Sequence, residues 1–241
     1  MKTVVIGDIH GRSTWKLITH LENADRVIFV GDYFDSFDIK TEEQLNNFLD
    51  IIEYKKSSGK EVIMLIGNHD HHYFPEITDT GTSGYQRVGK YQIEPIIDAN
   101  REHLQIAYQM DEFLFTHAGV SSIFMDETFG LNKWKVETIA DQLNEMFKHR
   151  PGVFTFNGID GYGDDEYQTP IWIRPRSLMR ANKNTLRKQV IQVVGHTQVK
   201  SLDLIAADKT FGNRYYLIDC LGTSGEYLII QDGIVLTGQT R

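Results

Sequence analysis

Along the first third of the chain, apolar and polar positions alternate between two spacings. Short β-branched or apolar runs at residues 3–6, 27–30 and 62–66 suit buried strands. The stretches between them carry helical spacing. Ser13 or Thr14 stands where a helix cap is needed, with Leu17, Ile18 and Leu21 turned inward. Thr41 opens a capping-box pattern with Gln44, and Leu45, Phe48, Leu49 and Ile52 continue a helix to about Lys56, where Ser57-Ser58-Gly59 ends it. Strand and helix in strict alternation predict parallel strands with helices covering them.

The middle is less regular. Residues 73–101 are aromatic and glycine-containing, without a clear period until 93–97, and read as an insertion near the mouth of a site. A strand returns at 113–116. A helix follows from about Lys133 to His149, capped by Asn132, with Val136, Ile139, Ala140, Leu143 and Phe147 on one face and Pro151-Gly152 as its stop. Residues 157–168, rich in Gly, Asp and Tyr, read as a loop. Strand signals then crowd together at 190–194, 215–218, 227–230 and 234–237, the last two joined by an Asp232-Gly233 hairpin turn. The expected fold is α/β, with two packed mixed β-sheets flanked by helices. It forms one domain over residues 1–241.

Composition narrows the classes. The 241 residues carry a net charge of −8, whereas a duplex nucleic-acid binder would show a basic excess. A single cysteine, Cys220, rules out an intrachain disulfide and reads as a small buried hydrophobe. The first residues enter a strand at once, leaving no room for a signal peptide, and no apolar run approaches the roughly 18 residues of a membrane span. The cytoplasm is the expected location.

Five short segments carry the chemistry: Gly7-Asp8-Ile9-His10-Gly11, Gly31-Asp32-Tyr33-Phe34-Asp35, Gly67-Asn68-His69-Asp70, Thr116-His117-Ala118-Gly119 and Gly195-His196-Thr197. Each sets Asp, Asn or His beside a small residue, and the first three follow strand signals. Asp8 and His10, two apart in extended chain, would point the same way and reach one metal. Asp32 has two oxygens and can bridge two cations. Asn68 offers an amide oxygen, and His69 beside it is placed to protonate a leaving oxygen, oriented by Asp35. Each motif alone also suits a helix cap or a solvated turn; together they point to a two-metal site. Hard carboxylates mixed with imidazoles suggest hydrolysis of a phosphate ester by in-line displacement.

These segments, in this order and over nearly the whole chain, resemble the calcineurin-like metallophosphoesterases. Gly-Asp-Ile-His-Gly, His-Ala-Gly and Gly-His-Thr are similar to the branch holding the phosphoprotein, bacterial, phage and diadenosine-tetraphosphate phosphatases. The resemblance implies an αββα sandwich and two divalent ions, with manganese the first choice and iron, zinc or nickel the alternatives. It implies a first metal on Asp8, His10 and Asp32, and a second on Asp32, Asn68, His117 and His196. His69 would be the general acid, paired with Asp35, and Asp219 would support the ligands from behind.

Two departures stand out. The branch usually continues Gly-Asp-x-x-Asp-Arg-Gly, whereas this chain has Ser36 and Phe37 after Asp35; and it has Asp70 where Glu is usual. The arginine that would clamp substrate phosphate is missing. Arg174, in Trp172-Ile173-Arg174-Pro175-Arg176, is the first replacement, with Arg176 and Arg12 behind it. His71 and His72 read as a solvated loop, as do Asp160, Asp164, Asp165 and Glu166. The expected activity is a phosphomonoesterase on a phosphoprotein, nucleotide or small phosphate ester. The alternatives are a phosphodiesterase or dinucleoside polyphosphate hydrolase and, from another class, a non-catalytic scaffold of the same fold.

Overall fold

Alternation within the first strands decides how the layers stack. In the computed structural model, which describes residues 1–78, 84–131, 133–158, 160–181, 186, 190–204 and 215–240, β1 (Lys2–Ile6), β2 (Arg26–Phe29) and β3 (Glu61–Leu65) pair in parallel. Val4, Ile6, Val27, Phe29, Val62 and Met64 face one way, into a core with Trp15, Ile18, Phe48, Ile51 and Ile52 of the covering helices α1 (Thr14–Glu22) and α2 (Thr41–Ser57). Val5, Ile28, Val30, Ile63 and Leu65 face the other way, against Phe113, Phe115, Ile191 and Val193 of a second sheet. Strands buried on both faces have no polar side to show, which is why they read as continuous apolar runs.

The short strand β4 (Leu104–Gln105) continues the first sheet in parallel beyond β3. The C-terminal hairpin β10 (Glu226–Gln231) and β11 (Ile234–Gln239) closes its other edge, with β10 antiparallel to β1. Asp232 (φ 52°) and Gly233 (φ 78°) make the hairpin turn, both left-handed as a two-residue turn requires. The second sheet has the order β5 (Ala107–Met110), β6 (Phe113–Thr116), β7 (Ile191–Val194), β9 (Tyr215–Leu217), β8 (Asp203–Leu204), parallel through β6, β7 and β9. Its outer face is covered by α6 (Ile139–His149), whose Ile139, Ala140, Leu143 and Phe147 are buried. Shorter helices α3 (Asn68–His71), α4 (Lys90–Ala99), α5 (Ser122–Phe129) and α7 (Pro175–Ala181) complete the molecule. Among the described residues, no helix is long and apolar enough to cross a membrane.

Several local expectations are corrected. Helix α1 buries Trp15 and Ile18 and leaves Leu17 and Leu21 exposed, because its contact face is narrow. Thr41 does not cap α2: Lys40 is the cap residue, the Thr41 hydroxyl donates to the Gln86 side chain, and Gln44 amide turns back to the Ile39 carbonyl. Helix α6 begins at Ile139 after a 3-10 turn at Val136–Thr138; its expected cap, Asn132, lies outside the described residues. Within 73–101, Tyr73 is wholly buried and α4 packs Ile93 and Ile97 into the core.

Candidate metal centre

All five motifs leave the C-terminal ends of parallel strands β1, β2, β3, β6 and β7, where chain direction gathers loops from both sheets. The turns are tight. A Cβ on Gly195 would lie 1.9 Å from Asp8 Oδ1, and one on Gly67 2.0 Å from Asp32 Oδ1, so both positions require glycine. Of seven described non-glycine residues with left-handed backbone, four are in the motifs: His10 (φ 42°), Asp32 (52°), Asp35 (61°) and His196 (61°). Each such residue costs about 1 kcal/mol or more, and strain of this kind collects at functional sites. His10 therefore meets Asp8 through a turn rather than through the extended alternation expected; its N–H donates to the Asp32 carbonyl at 2.6 Å.

The six expected ligands come together. Ligand atoms of Asp8, His10 and Asp32 lie within 4.8 Å of one another. Asp32 faces two ways: Oδ2 is 3.7 Å from His10 Nε2, and Oδ1 is 3.4 Å from His117 Nε2. Asn68 Oδ1 lies 3.0 Å from His117 Nε2 and 2.8 Å from His196 Nδ1.

Backbone carbonyls fix the imidazoles. A carbonyl only accepts, so the ring nitrogen facing it must carry the proton. His10 Nδ1–H donates to Phe34 O (2.6 Å), His117 Nδ1–H to Val30 O (2.9 Å) and His196 Nε2–H to Trp172 O (3.0 Å). In each neutral ring the other nitrogen then turns a lone pair inward. Three such lone pairs meet the oxygens of Asp8, Asp32 and Asn68, a set of acceptors that a cation would satisfy. Mixed nitrogen and oxygen donors fit divalent transition metals such as manganese, iron, zinc or nickel.

Electrostatics agree. Burial, then Asp219 and Asp32, push the Asp8 carboxyl well above the usual carboxylate range. Burial and Asp32 push Asp219 up to about 6. Burial opposes ionisation of Asp32, yet His117, His69 and His10 around it hold it well below the ordinary value. Crowded carboxylates of this kind need positive charge to ionise together.

Asp70, the residue that departs from the branch pattern, is wholly buried and accepts three backbone N–H groups: Asp32 (2.8 Å), Tyr33 (2.7 Å) and Gly67 (2.8 Å). It ties the Asn68 turn to the Asp32 turn. His69 Nδ1 is 2.9 Å from Asp35 Oδ2, as expected, and its ring sits 5.3 Å from that of His10. Burial would lower the His69 pKa, but Asp32, Asp35 and Asp70 raise it to about 9.

His71 and His72 are not solvated; both are buried. His71 Nε2 is bonded to the Pro151 carbonyl and its ring packs near Phe74 and Phe147. His72 Nε2 reaches Asp35 Oδ2 at 2.8 Å, and the Tyr73 hydroxyl donates to Asp35 Oδ1. Sequence reasoning missed these two and the role of Asp70. The spacing of His69 and His72, one helical turn apart, was the available signal.

Of the arginines, Arg174 is nearest its expected role. Its Nε donates to Tyr162 O, and Nη1 donates to His196 O (3.0 Å) and Thr197 Oγ1 (3.2 Å). Burial lowers its pKa, and the charges of Asp32, Asp8 and Asp219 partly offset this. Arg12 lies against Gly222 and donates to the Ile9 carbonyl, and its charge reaches both Asp219 and His10. Arg176 is exposed on α7, away from these contacts. The acidic loop is held down by its own side chains: Asp160 accepts the Tyr162 and Asp164 N–H groups, Asp164 binds Ser177, and Glu166 pairs with Arg180. Cys220 is buried, and burial pushes its thiol up to about 11.

No curated protein matches the sequence. Solved structures do match its fold. A cold-active protein-tyrosine phosphatase of a psychrophilic Shewanella is 18% identical, with a TM-score of 0.65 over 99% of this chain and 77% of that one. A protein serine/threonine phosphatase from Saccharomyces cerevisiae is 13% identical, with a TM-score of 0.54 over 100% and 80%. A metallophosphoesterase from Sphaerobacter thermophilus is 13% identical, with a TM-score of 0.52 over 100% and 88%. The family model of the calcineurin-like phosphoesterases matches residues 1–201, which hold all six residues gathered above. With that match and this sandwich of two sheets, the chain belongs to the calcineurin-like phosphoesterase family, hydrolases of phosphoric ester bonds.

Proposed function

We propose that this chain is a phosphomonoesterase with two divalent ions, manganese first among them. Asp8, His10 and Asp32 would hold one ion; Asp32, Asn68, His117 and His196 would hold the other. The observation carrying this reading is Asp32, whose two oxygens face separate imidazole groups, His10 and His117. Bound there, the ions supply Lewis-acid activation and charge neutralisation for in-line displacement at phosphorus.

The side chains supply the rest. Asp35 holds the Nδ1 proton of His69, leaving Nε2 to protonate the leaving oxygen. Arg174 is braced through Nε and Nη1, and its Nη2, with no partner among the described residues, is the group we assign to substrate phosphate. Arg12 adds positive charge from the side of Gly222; Arg176, exposed, is the weakest of the three. Two of the compared structures are protein phosphatases, which supports a phosphoprotein as the first substrate class, ahead of a nucleotide or small ester. The whole of residues 1–241 would act as one domain, in the cytoplasm, without duplex nucleic acid as a partner.

A paired assay with p-nitrophenyl phosphate and bis-p-nitrophenyl phosphate, with manganese and with chelator, tests the reading. Metal-dependent preference for the monoester supports it. Preference for the diester replaces it with a phosphodiesterase or dinucleoside polyphosphate hydrolase. Turnover of neither ester, with metal bound, leaves a demanding natural substrate or the scaffold and overturns the simple phosphatase reading.

A further inference from the structure

Asp35 carries more than the partner expected of it. Its side chain is wholly buried, in a left-handed turn at φ 61°. Oδ2 lies 2.9 Å from His69 Nδ1 and 2.8 Å from His72 Nε2, and Oδ1 accepts the Tyr73 hydroxyl. The phenol is oriented in turn. Its oxygen accepts the backbone N–H of Gln86 at 3.0 Å, so its own proton points at Asp35. The His72 ring is wedged edge-on against Tyr73 (4.4 Å) and Tyr85 (4.8 Å), which stack on each other at 22°. Neither His72 nor Tyr73 can turn away without opening this aromatic packing.

We propose that His72 and Tyr73 are positioning residues for the general acid, acting on His69 through Asp35. His69 and Tyr73 donate to the two oxygens, the His72 ring abuts Oδ2 at 2.8 Å with Nε2 off the hydrogen-bond line, and a carboxylate held on both oxygens fixes the His69 ring. With only Asp35 to hold it, the ring would swing as the carboxylate turned about its own side chain. His69 Nε2 then could not be kept at one distance from a leaving oxygen, and general-acid catalysis depends on that distance. The segment that supplies His72 and Tyr73 is the turn directly after the Asn68-His69 motif. One stretch of chain therefore provides a metal ligand, the acid and the clamp on the acid's partner. This inference rests on the proposed acid role of His69.

The experiment compares leaving groups. Phenyl phosphate expels a basic phenolate that needs a proton; p-nitrophenyl phosphate expels an anion that needs far less help. The ratio of kcat on the first to kcat on the second reports acid assistance, and loss of folded protein cancels from it. Tyr73→Phe, which keeps the ring, and His72→Leu are each expected to lower the ratio about tenfold, a part of the 10²–10⁴ that a general acid contributes. His72→Gln, which keeps a polar group against Asp35 Oδ2, should recover most of the loss. His69→Asn calibrates the assay with the full effect. An unchanged ratio in His69→Asn would mean that His69 is not the acid, and the proposal falls with that reading. A lowered ratio in His69→Asn with unchanged ratios in Tyr73→Phe and His72→Leu would overturn the clamp alone.

Discussion

Asp70→Ala tests how the two halves of the centre are held. The carboxylate is wholly buried and accepts the backbone N–H groups of Asp32, Tyr33 and Gly67 at 2.7–2.8 Å. Alanine leaves three buried donors without a partner, at about 1–3 kcal/mol each. Water entering the space recovers part of this, and removing a carboxyl that burial and Asp32 already push up to about 7 relieves some repulsion. A net loss of about 3–5 kcal/mol remains, which for a chain of this length lowers Tm by about 10 °C. The damage reaches the metals too. Asp32 sits in a strained conformation that its own N–H bond to Asp70 helps to hold, so manganese affinity should fall about 10- to 100-fold. Thermal unfolding with and without manganese, and calorimetric manganese titration, read both effects. Asp70→Glu keeps the charge and adds one methylene to a wholly buried side chain, so it should lose about 1–3 kcal/mol and retain most of the metal affinity. If Asp70→Ala left Tm and manganese affinity where they were, the reasoning from these three hydrogen bonds would be refuted.

Other consequences are as direct. Gly195→Ala puts a Cβ 1.9 Å from Asp8 Oδ1 and 2.9 Å from Val30 Cγ2, so manganese affinity should fall at least about tenfold in calorimetry, while Gly152→Ala, with nothing within 4 Å, should match the wild type. Arg174→Ala should lower kcat/KM for the monoester about tenfold or more and affect the diester less, since a dianion gains most from a guanidinium; equal losses on both would remove Arg174 from the phosphate site. For the metal-free protein, pH acts through two opposed sets: burial lowers His10 and His196, whose contribution is absent at low pH and complete above about 6.5, while the raised groups act the other way. Asp219 and Asp70, raised to about 6 and 7, keep protons that the unfolded chain releases near 3.8, so their contribution is complete below the unfolded value and is lost as pH rises through 6 and 7. His69, raised to about 9, contributes fully below 6.5 and is lost through 9. Above about pH 6.5, therefore, Tm of the stripped protein should drop as pH rises toward 9, and the gain on adding manganese should widen; a gap that narrowed would contradict these assignments.

The sequence made the site more legible than its supports. Candidate ligands follow strand ends, so a short apolar run and the glycine after it pointed to Asp8, Asp32 and Asn68. Parallel pairing of β1, β2 and β3 followed from strands that are apolar on both faces. What escaped was everything set by contacts between motifs. Asp70 looked like an altered family letter, yet it accepts N–H groups from two separate turns. His72 looked like a loop residue despite its helical spacing from His69, and only the fold brings it and Tyr73 to Asp35, far off along the chain. The inward face of α1 was misread for the same reason: Leu17 and Leu21 are as apolar as Ile18, but the sheet covers only one stripe. Arg174 was legible as a cation near a motif; its bracing by His196 and Thr197 was not.

The central claim is that Asp32 joins two metal sites, and metal stoichiometry tests it most directly. Protein stripped by chelator would be titrated with manganese, ions per chain counted, and p-nitrophenyl phosphate hydrolysis followed on the same samples, for wild type and Asp32→Asn. The account predicts two ions per wild-type chain, turnover that rises with their binding, and loss of both high-affinity binding and turnover in Asp32→Asn. A single ion in the wild type, or turnover that survives the chelator or the Asp32→Asn substitution, would contradict it.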